Sequence, residues 1–150
     1  GVIGPRLFNP DRTLQPSANR RFPGLASYVA DVSGFAGLKM RLYRTGFVRR
    51  VAGPLWYGPL HWRTGPVAWV GGAALLVRRS AWEAVGGFDE RFFLYYEEVD
   101  FCRRLAAAGW ETWFCAEAEV VHGWGSSTAA EPALAAAAAR RSRALYFGRT

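Results

Sequence analysis

The pattern of apolar and polar positions predicts a strand at the start of the chain. Val2 to Leu7 is largely apolar, and the run Asn9-Pro10-Asp11-Arg12 separates it from a second extended piece at Thr13 to Gln15. Asn, Pro and Asp favour turns because Pro presets φ and short polar side chains bond to the nearby backbone. We therefore predict that residues 1–23 form a strand and hairpin at a sheet edge.

In the second segment, residues 24–66, apolar positions recur at helical spacing among basic ones. Gly34, Gly37 and Gly46 interrupt the pattern, which predicts one or two amphipathic helices with a basic face. The stretch Gly53 to Gly65 is rich in Pro, Gly and Trp and predicts an ordered loop. Two interpretations of the basic face stay open: contact with an anionic membrane surface, or a solvated helix surface. Its basic residues are Lys39, Arg41, Arg44, Arg49 and Arg50.

The third segment, residues 67–128, begins with the longest apolar run. Val67 to Val77 predicts a buried strand, in which Gly71-Gly72 leave room for close approach of a backbone or ligand. The sequence Ser80-Ala81-Trp82-Glu83 has the form of a capping box, and Gly86-Gly87 should end the helix that it starts.

Further along, Glu97 to Ala108 predicts a helix that ends at Gly109. Trp110 to Phe114 and Glu119 to His122 predict two short strands. The last segment, residues 129–150, contains Glu131-Pro132 at the start of an Ala-rich helix, where Pro is favoured. At 150 residues the chain has the length of one domain.

Charge is distributed unevenly along the chain. Residues 1–82 carry twelve Lys or Arg and two acids, whereas residues 83–131 carry three basic residues and ten acids. A basic surface suits phosphate-bearing partners. Among these partners nucleic acid is the least supported, because the aromatic residues are spread through apolar strands instead of alternating with Arg on one face. We expect no nucleic-acid partner.

Cysteine content and hydropathy bear on the compartment. The two cysteines are too few for a disulfide framework, and no apolar run reaches the roughly 18 to 20 residues that cross a bilayer. We expect a cytoplasmic protein, with peripheral contact at the inner face of the membrane as the alternative.

Three acids lie at the start of the predicted helix in Tyr95-Tyr96-Glu97-Glu98-Val99-Asp100. Negative charge at a helix N-terminus is favoured by the helix dipole, which is one sufficient explanation. Helical geometry separates the acids: Glu97 and Asp100 share a side with Arg104, whereas Glu98 lies on the apolar stripe. Partial burial there would raise the pKa of Glu98 towards the range useful for a general base.

A longer pattern surrounds these acids. It runs W-V-x-G-A-x-L-L-V-R-R, G-G-F-D-E-x-F-F, Y-x-E-[DE]-V-D-x-C-x-R and G-W, then a strand that ends in His. This order resembles the rhamnosyltransferase-like branch of the family 2 glycosyltransferases, densely over Val67 to Ser127 and loosely over Val2 to Pro23. The resemblance implies an α/β fold, namely part of a GT-A fold with a mixed sheet and flanking helices, with the nucleotide-binding half absent.

The resemblance also implies a reaction and roles for individual residues. The protein would transfer a rhamnose-like or other hexose, with inversion, from a nucleotide-diphosphate sugar to a glycan or lipid-linked acceptor in cell-envelope polysaccharide synthesis. The catalytic pair is then Glu98, the base, with Glu97. The resemblance further implies that His122 contacts the metal and that Arg140 and Arg143 contact the diphosphate. The residues implied to contact the sugar or the acceptor are Trp69, Gly72, Asp89 and Glu90. Core packing for Trp69, a turn for Asp89 and a structural role for His122 stay open.

The chain departs from the family pattern at several positions. Glu98 replaces the usual Asp, and Ala68, Gly71 and Gly123 stand where polar residues are common. No Asp-x-Asp, the motif that holds Mg²⁺ or Mn²⁺ in the family, occurs in the 150 residues. We therefore expect the metal to be held mostly by an absent N-terminal half and this chain alone to be inactive. The alternative is a truncated, non-catalytic fragment that binds an acceptor or a membrane surface.

Overall fold

The computed structural model describes residues 1–35, 38, 41–42, 60–123 and 128–148. Much of the predicted pair of basic helices, and most of the Gly53 to Gly65 loop, lie outside these residues. The strands are β1 (Val2–Phe8), β2 (Leu14–Gln15), β3 (Ala18–Asn19), β4 (Gly65–Val67), β5 (Trp69–Val70), β6 (Leu76–Val77) and β7 (Thr112–Val121). The helices are α1 (Leu25–Val32), α2 (Arg79–Val85), α3 (Glu97–Ala107) and α4 (Pro132–Phe147). None of the helices found in these ranges is long and apolar enough to cross a membrane.

The main sheet is mixed, as expected for an α/β fold. Its order is β2-β1-β7-β4, with β6 also paired to β1, and only the β1–β7 pair is parallel. The predicted strand and hairpin are present, and β2 of the hairpin ends the strand order β2-β1-β7-β4. β1 has partners on both sides although it contains Pro5. The register with β7 shifts between Pro5 and Arg6, and such irregularities are where a residue without an N–H is tolerated in a sheet.

The prediction of one buried strand over Val67 to Val77 is wrong. The run is divided among β4 in the main sheet, β5 in a two-stranded sheet with β3, and β6 on the other side of β1. Backbone bonds from Ala68 to Asn19 and from Gly71 to Ser17 hold β5 beside β3. The chain then turns through Gly71-Gly72, so the glycines mark a bend and not a strand interior.

Helix starts and ends agree only partly with the sequence patterns. The capping box is wrong, because α2 begins at Arg79, one residue before Ser80, and its N-cap Arg78 makes no side-chain cap bond. Gly86 ends α2 in the left-handed region, as predicted, and Gly109 follows α3 with φ of 80°. The final helix begins at Pro132, as predicted. The two short strands expected after Gly109 form the single strand β7.

Two clusters of buried side chains hold the fold together. The larger one packs α3 through Phe101, Cys102 and Leu105 against Val70 of β5 and Phe114 of β7. The smaller one joins α3 to the C-terminal helix; its buried members are Phe92, Val99 and Tyr146. Apolar burial on this scale is the main stabilising term in folding. The first turn of α3, which carries the acids, is therefore fixed from both sides.

A buried pair of carboxylates at the start of a helix

The backbone adopts an unusual conformation where α3 begins. Tyr95 and Tyr96 both have positive φ, 66° and 67°, and Tyr96 is the N-cap residue without a side-chain cap bond. The left-handed region costs a residue with a side chain about 1 kcal/mol or more, and it persists where surrounding packing imposes it. Tyr96 packs on Tyr146, with ring centroids 5.2 Å apart, and Phe147 lies 6.1 Å away. Aromatic contacts with α4 thus hold the turn that aims Glu97 and Glu98.

Glu97 and Glu98 lie beside Gly72. Each has one carboxylate oxygen, Oε2, that is buried and has no hydrogen-bond partner among the described residues. A Cβ built on Gly72 would lie 3.5 Å from the Glu98 Cβ and 3.9 Å from the Glu97 Oε1, so no side chain at position 72 separates the glycine backbone from the pair. A buried, unpaired carboxylate oxygen costs free energy, and such exceptions concentrate at functional sites. The structure therefore brings Gly72, Glu97 and Glu98 together.

The electrostatics of the pair follow from this burial. Loss of solvent, with the neighbouring charge of Glu97 as a second cause, raises the pKa of Glu98 to about 7. Backbone N–H bonds to the carboxylate act in the opposite direction but are weaker. Burial also raises the pKa of Glu97. Glu98 is thereby a carboxylate that accepts a proton readily near neutral pH, as general base catalysis requires.

Asp100, the third acid, has a structural partner. Its Oδ2 accepts a bond of 2.7 Å from Nε of Arg104, as the shared helical side predicted. The same guanidinium donates to the carbonyls of Val85 and Gly87 at 2.6 and 2.7 Å. Arg104 therefore ties the C-terminal end of α2 to α3. Glu98 lies apart from this network, as predicted. The predicted grouping of Glu97 with Asp100 and Arg104 is wrong, because Glu97 lies beside Glu98 with a buried Oε2 that has no partner among the described residues.

Gly87 is required by its surroundings. It has φ of 73°, and a Cβ at this position would lie 2.6 Å from the Trp82 ring. Trp82 packs edge-on against Phe88 and also contacts Phe101 of α3. The predicted role of Gly86-Gly87 as a helix end is confirmed, and it also allows the loop after α2 to approach α3.

Asp89 and Glu90 follow this turn. Asp89 accepts the Arg91 backbone N–H at 3.0 Å and pairs with the Arg91 guanidinium through both carboxylate oxygens. This is the turn interpretation left open by the sequence. Glu90 is exposed. Contact of either residue with a sugar stays a prediction.

Trp69 is partly buried and belongs to the packing of the protein. Its side chain lies against both buried clusters, and its indole N–H donates to the carbonyl of Arg21 at 3.2 Å. The core interpretation of this residue is therefore confirmed. Stacking of a sugar ring on its remaining surface stays a prediction.

His122 lies just beyond β7 and is held by Gln15. The Gln15 side-chain N–H₂ donates to the His122 carbonyl at 2.6 Å and to Oδ1 of Asn9 at 2.8 Å. The Gln15 oxygen lies 3.0 Å from Nδ1 of His122, which as a neutral ring must carry its proton there. Nε2 then has the lone pair, the arrangement common in metal-binding histidines whose other nitrogen donates to a carbonyl.

The arginines predicted to contact diphosphate lie on α4. Arg140 is exposed and Arg143 is half-buried. Nearby, the Ser142 hydroxyl donates to the Leu94 carbonyl at 2.8 Å, which fixes α4 against the segment before α3. The role of Arg140 and Arg143 stays a prediction.

Three features of the site were not predicted. The left-handed pair Tyr95-Tyr96 has no sequence signal, because tyrosine has no preference for positive φ. Gln15 was predicted only as part of an extended piece. Its contact with His122, 107 residues further along the chain, depends on the order of the strands and has no local sequence signal. Arg104 was predicted to share a side with Asp100, but its two carbonyl contacts depend on tertiary packing.

Comparison with known proteins places the chain in a family. The model of the glycosyl transferase family group 2 matches residues 38–148. The chain belongs to this family, and its relatives support the rhamnosyltransferase-like branch within it. The α/β architecture and mixed sheet agree with part of a GT-A fold.

Named relatives include an N-acetylglucosaminyl-diphospho-decaprenol L-rhamnosyltransferase from Mycobacterium tuberculosis. It is 37% identical over 98% of this chain, which spans 45% of that relative's length. The rhamnosyltransferase WbbL of Escherichia coli K12 is 46% identical over 29% of the chain and 16% of the relative. The O-antigen biosynthesis protein RfbC of Myxococcus xanthus is 30% identical over 81% of the chain and 8% of the relative. No solved structure gave a significant match.

Proposed function

We propose that this chain supplies the acceptor side of an inverting sugar-transfer site, with Glu98 as the general base. The observation that carries the proposal is the buried, unpaired Oε2 of Glu98, whose Cβ and Cγ lie against Gly72, in a family of glycosyl transferases. An acceptor hydroxyl that enters beside Gly72 would donate its hydrogen bond to this oxygen. That hydroxyl would supply the hydrogen-bond donor that the Oε2 of Glu98 lacks among the described residues.

The reaction follows from that contact. As the acceptor oxygen attacks the anomeric carbon, its proton passes to the Glu98 carboxylate, and the bond from the anomeric carbon to the diphosphate oxygen breaks. The nucleotide diphosphate leaves from the face opposite the attack, so the anomeric configuration inverts. General base catalysis of this kind contributes about 10² to 10⁴ in rate.

Glu97 would act on Glu98 through its charge. A negative charge beside a carboxylate makes the proton on that carboxylate harder to remove, which makes Glu98 the stronger base. Asp100 is committed to Arg104 and takes no part in proton transfer. Glu98 is one methylene longer than the family's usual Asp. The Tyr95-Tyr96 turn and the open position at Gly72 are the features that would accommodate this extra length.

Among the described residues, His122 is the metal ligand that we propose. No group of three or more His, Cys, Asp or Glu side chains able to hold a metal occurs within the described ranges. His122 offers a single ligand, Nε2, because Gln15 fixes the proton on Nδ1. When bound, Mg²⁺ or Mn²⁺ would neutralise the charge that develops on the leaving diphosphate. The other ligands would come from outside the described residues.

The substrates are proposed by class. One relative is named for transfer of L-rhamnose to an N-acetylglucosaminyl-diphospho-decaprenol. We infer a nucleotide-diphosphate sugar, of rhamnose or another hexose, as donor and a glycan on a diphosphate-linked lipid as acceptor. The product would enter cell-envelope polysaccharide, and the protein would work at the inner face of the membrane.

Product stereochemistry tests the reaction. The intact protein is incubated with nucleotide-diphosphate rhamnose, or with another donor hexose, and a glycolipid acceptor. The anomeric configuration of the first product is then determined by proton NMR. We expect the configuration opposite to that of the donor, because a single base-assisted displacement inverts the carbon. Retention would overturn the single-displacement mechanism, and a product that forms without the acceptor hydroxyl would overturn the role of Glu98.

A further inference from the structure

An exposed apolar face runs along α1 and the helical residues that follow it. Leu25, Val29 and Val32 share one side of α1 and are 77%, 53% and 52% exposed. Beyond the turn at Gly34, Phe35 and Leu38 are also exposed, at 65% and 55%. Large apolar side chains exposed together are uncommon on a protein that meets only water. We define these five residues as the α1 face.

Exposed arginines flank the α1 face along the chain. Arg20 and Arg21 lie just before α1 and are exposed, as is Arg41 beyond it. The first 82 residues carry twelve basic and two acidic side chains. A face that is apolar at its centre and basic at its border suits the surface of a bilayer with anionic headgroups, where apolar residues enter the interface and arginines meet phosphates.

The α1 face is connected to the carboxylate pair by contacts between aromatic rings. Tyr28 of α1 packs edge-on against Phe147, with ring centroids 5.0 Å apart. Phe147 in turn contacts Tyr96, the residue directly before Glu97. An apolar cleft of about 660 Å³ opens at the first junction, lined by Gly24, Leu25, Tyr28, Ala144, Phe147 and Gly148. The turn that aims the base thus shares its packing with the helix that carries the exposed face.

We propose that the α1 face docks the protein on an anionic phospholipid membrane. Its apolar residues lie in the headgroup region, and Arg20, Arg21 and Arg41 meet lipid phosphates. The docking itself is independent of catalysis. The consequence of docking rests on the proposed function. Docking would bring a lipid-linked acceptor to α1, the helix whose contacts through Phe147 lead to Tyr96.

Vesicle flotation tests the docking. Full-length protein is mixed with phosphatidylcholine vesicles, with and without phosphatidylglycerol, and compared with a variant in which Leu25, Val29 and Phe35 are changed to Ser. We expect its partition coefficient to fall by at least about tenfold, because these side chains no longer leave water. The matched control is Leu76→Ser with Leu134→Ser, since these leucines are 74% and 54% exposed but lie elsewhere. The control should float like the wild type.

A second variant tests the basic border. Changing Arg20, Arg21 and Arg41 to Gln should lower binding to the anionic vesicles by about fivefold for each arginine and leave binding to neutral vesicles unchanged. Circular dichroism before flotation shows that each variant is folded. Equal flotation of the wild type and the α1-face variant would overturn the proposal. If the α1-face variant floats like the wild type but differs from it in molar mass by light scattering, the α1 face binds a second copy of the protein. That result would also overturn the docking proposal.

Activity assays separate this proposal from the proposed function. The α1-face variant should keep transfer to a short-chain, water-soluble acceptor and lose transfer to the same glycan on a long-chain lipid in vesicles. Equal loss with both acceptors would contradict a docking role. If the wild type transfers sugar to neither acceptor, the proposed function fails, while the flotation result still decides whether the α1 face binds membranes.

Discussion

Replacing Glu98 by glutamine tests the electrostatic basis of the site, because this change removes the charge and keeps the shape of the side chain. The fold raises the pKa of Glu98 from 4.5 to about 7, mainly by desolvation and then through Glu97. The folded state therefore holds the proton more tightly than the unfolded state. At about 1.36 kcal/mol per pKa unit, ionisation of Glu98 costs the folded state about 3 kcal/mol.

The sign of the effect on stability is fixed by this shift. Below the unfolded pKa both states bind the proton and no cost arises. Between pH 4.5 and about 7 the unfolded state releases the proton first, so the free energy of unfolding falls as pH rises. Glu98→Gln cannot ionise. The variant should therefore lose less stability over this interval than the wild type, with a difference that grows to about 3 kcal/mol above neutral pH.

Urea unfolding across this pH range measures the difference. The wild type, Glu98→Gln, Glu97→Gln and the control Glu83→Gln, an exposed residue of α2, are compared. Glu97→Gln should move the decline of the wild type to lower pH, because the neighbouring charge no longer raises the pKa of Glu98. Glu83→Gln should follow the wild type. Parallel curves for the wild type and Glu98→Gln would refute the burial of an ionisable Glu98.

Three further predictions concern catalysis and backbone fit. In the intact enzyme, kcat/KM should rise with pH through a limb near the Glu98 pKa of about 7, because only the carboxylate accepts the proton; a flat profile across that pH would contradict a base at Glu98. Gly72→Leu should fill the space beside Glu97 and Glu98 and lower the rate of transfer by about 10²-fold with the fold retained. The control Gly71→Ala, whose Cβ meets Ser17 at 3.7 Å, should stay active. Equal activities of the two variants would place the acceptor elsewhere. In the same urea assay, Gly87→Ala should lower the free energy of unfolding more than Gly86→Ala, because both glycines have positive φ but only a Cβ at Gly87 meets the Trp82 ring. We expect a loss of about 1 kcal/mol for Gly86→Ala and of at least about 2 kcal/mol for Gly87→Ala. Equal losses would exclude the clash with Trp82.

Local sequence patterns predicted the helix of the carboxylates well. The spacing of Phe101, Cys102 and Leu105 places Glu98 on the buried side, and the i to i+4 spacing of Asp100 and Arg104 predicts their ion pair. Both features are set within one helix, where side-chain direction follows directly from residue number. The base candidate could therefore be singled out before any tertiary contact was known.

Features that depend on distant residues were predicted poorly. The apolar run from Val67 to Val77 resembles one strand, but its residues pair with three different partners, β7, β3 and β1. The pairing of β1 along β7, with its shift of register between Pro5 and Arg6, cannot be inferred from the sequence of β1 alone. Periodicity reports which side of an element is buried and not which element covers it.

The acidic turn shows the same division. The acids favour the helix N-terminus through the dipole, and this much is local. The left-handed Tyr95-Tyr96 pair is imposed by packing on Tyr146 and Phe147, which lie about fifty residues away in the chain. Gly72 was predicted to leave room for a ligand, and the structure shows which groups border that room.

Single-turnover transfer by Glu98→Gln and Glu97→Gln tests the central claim most directly. Both variants are prepared in the intact enzyme, and binding of the nucleotide-diphosphate sugar is measured separately by calorimetry. We predict that Glu98→Gln lowers the rate of transfer by about 10³-fold with donor affinity unchanged, and that Glu97→Gln has a much smaller effect. A Glu98→Gln enzyme that keeps the wild-type rate, or a larger loss in Glu97→Gln, would contradict the assignment of Glu98 as the base.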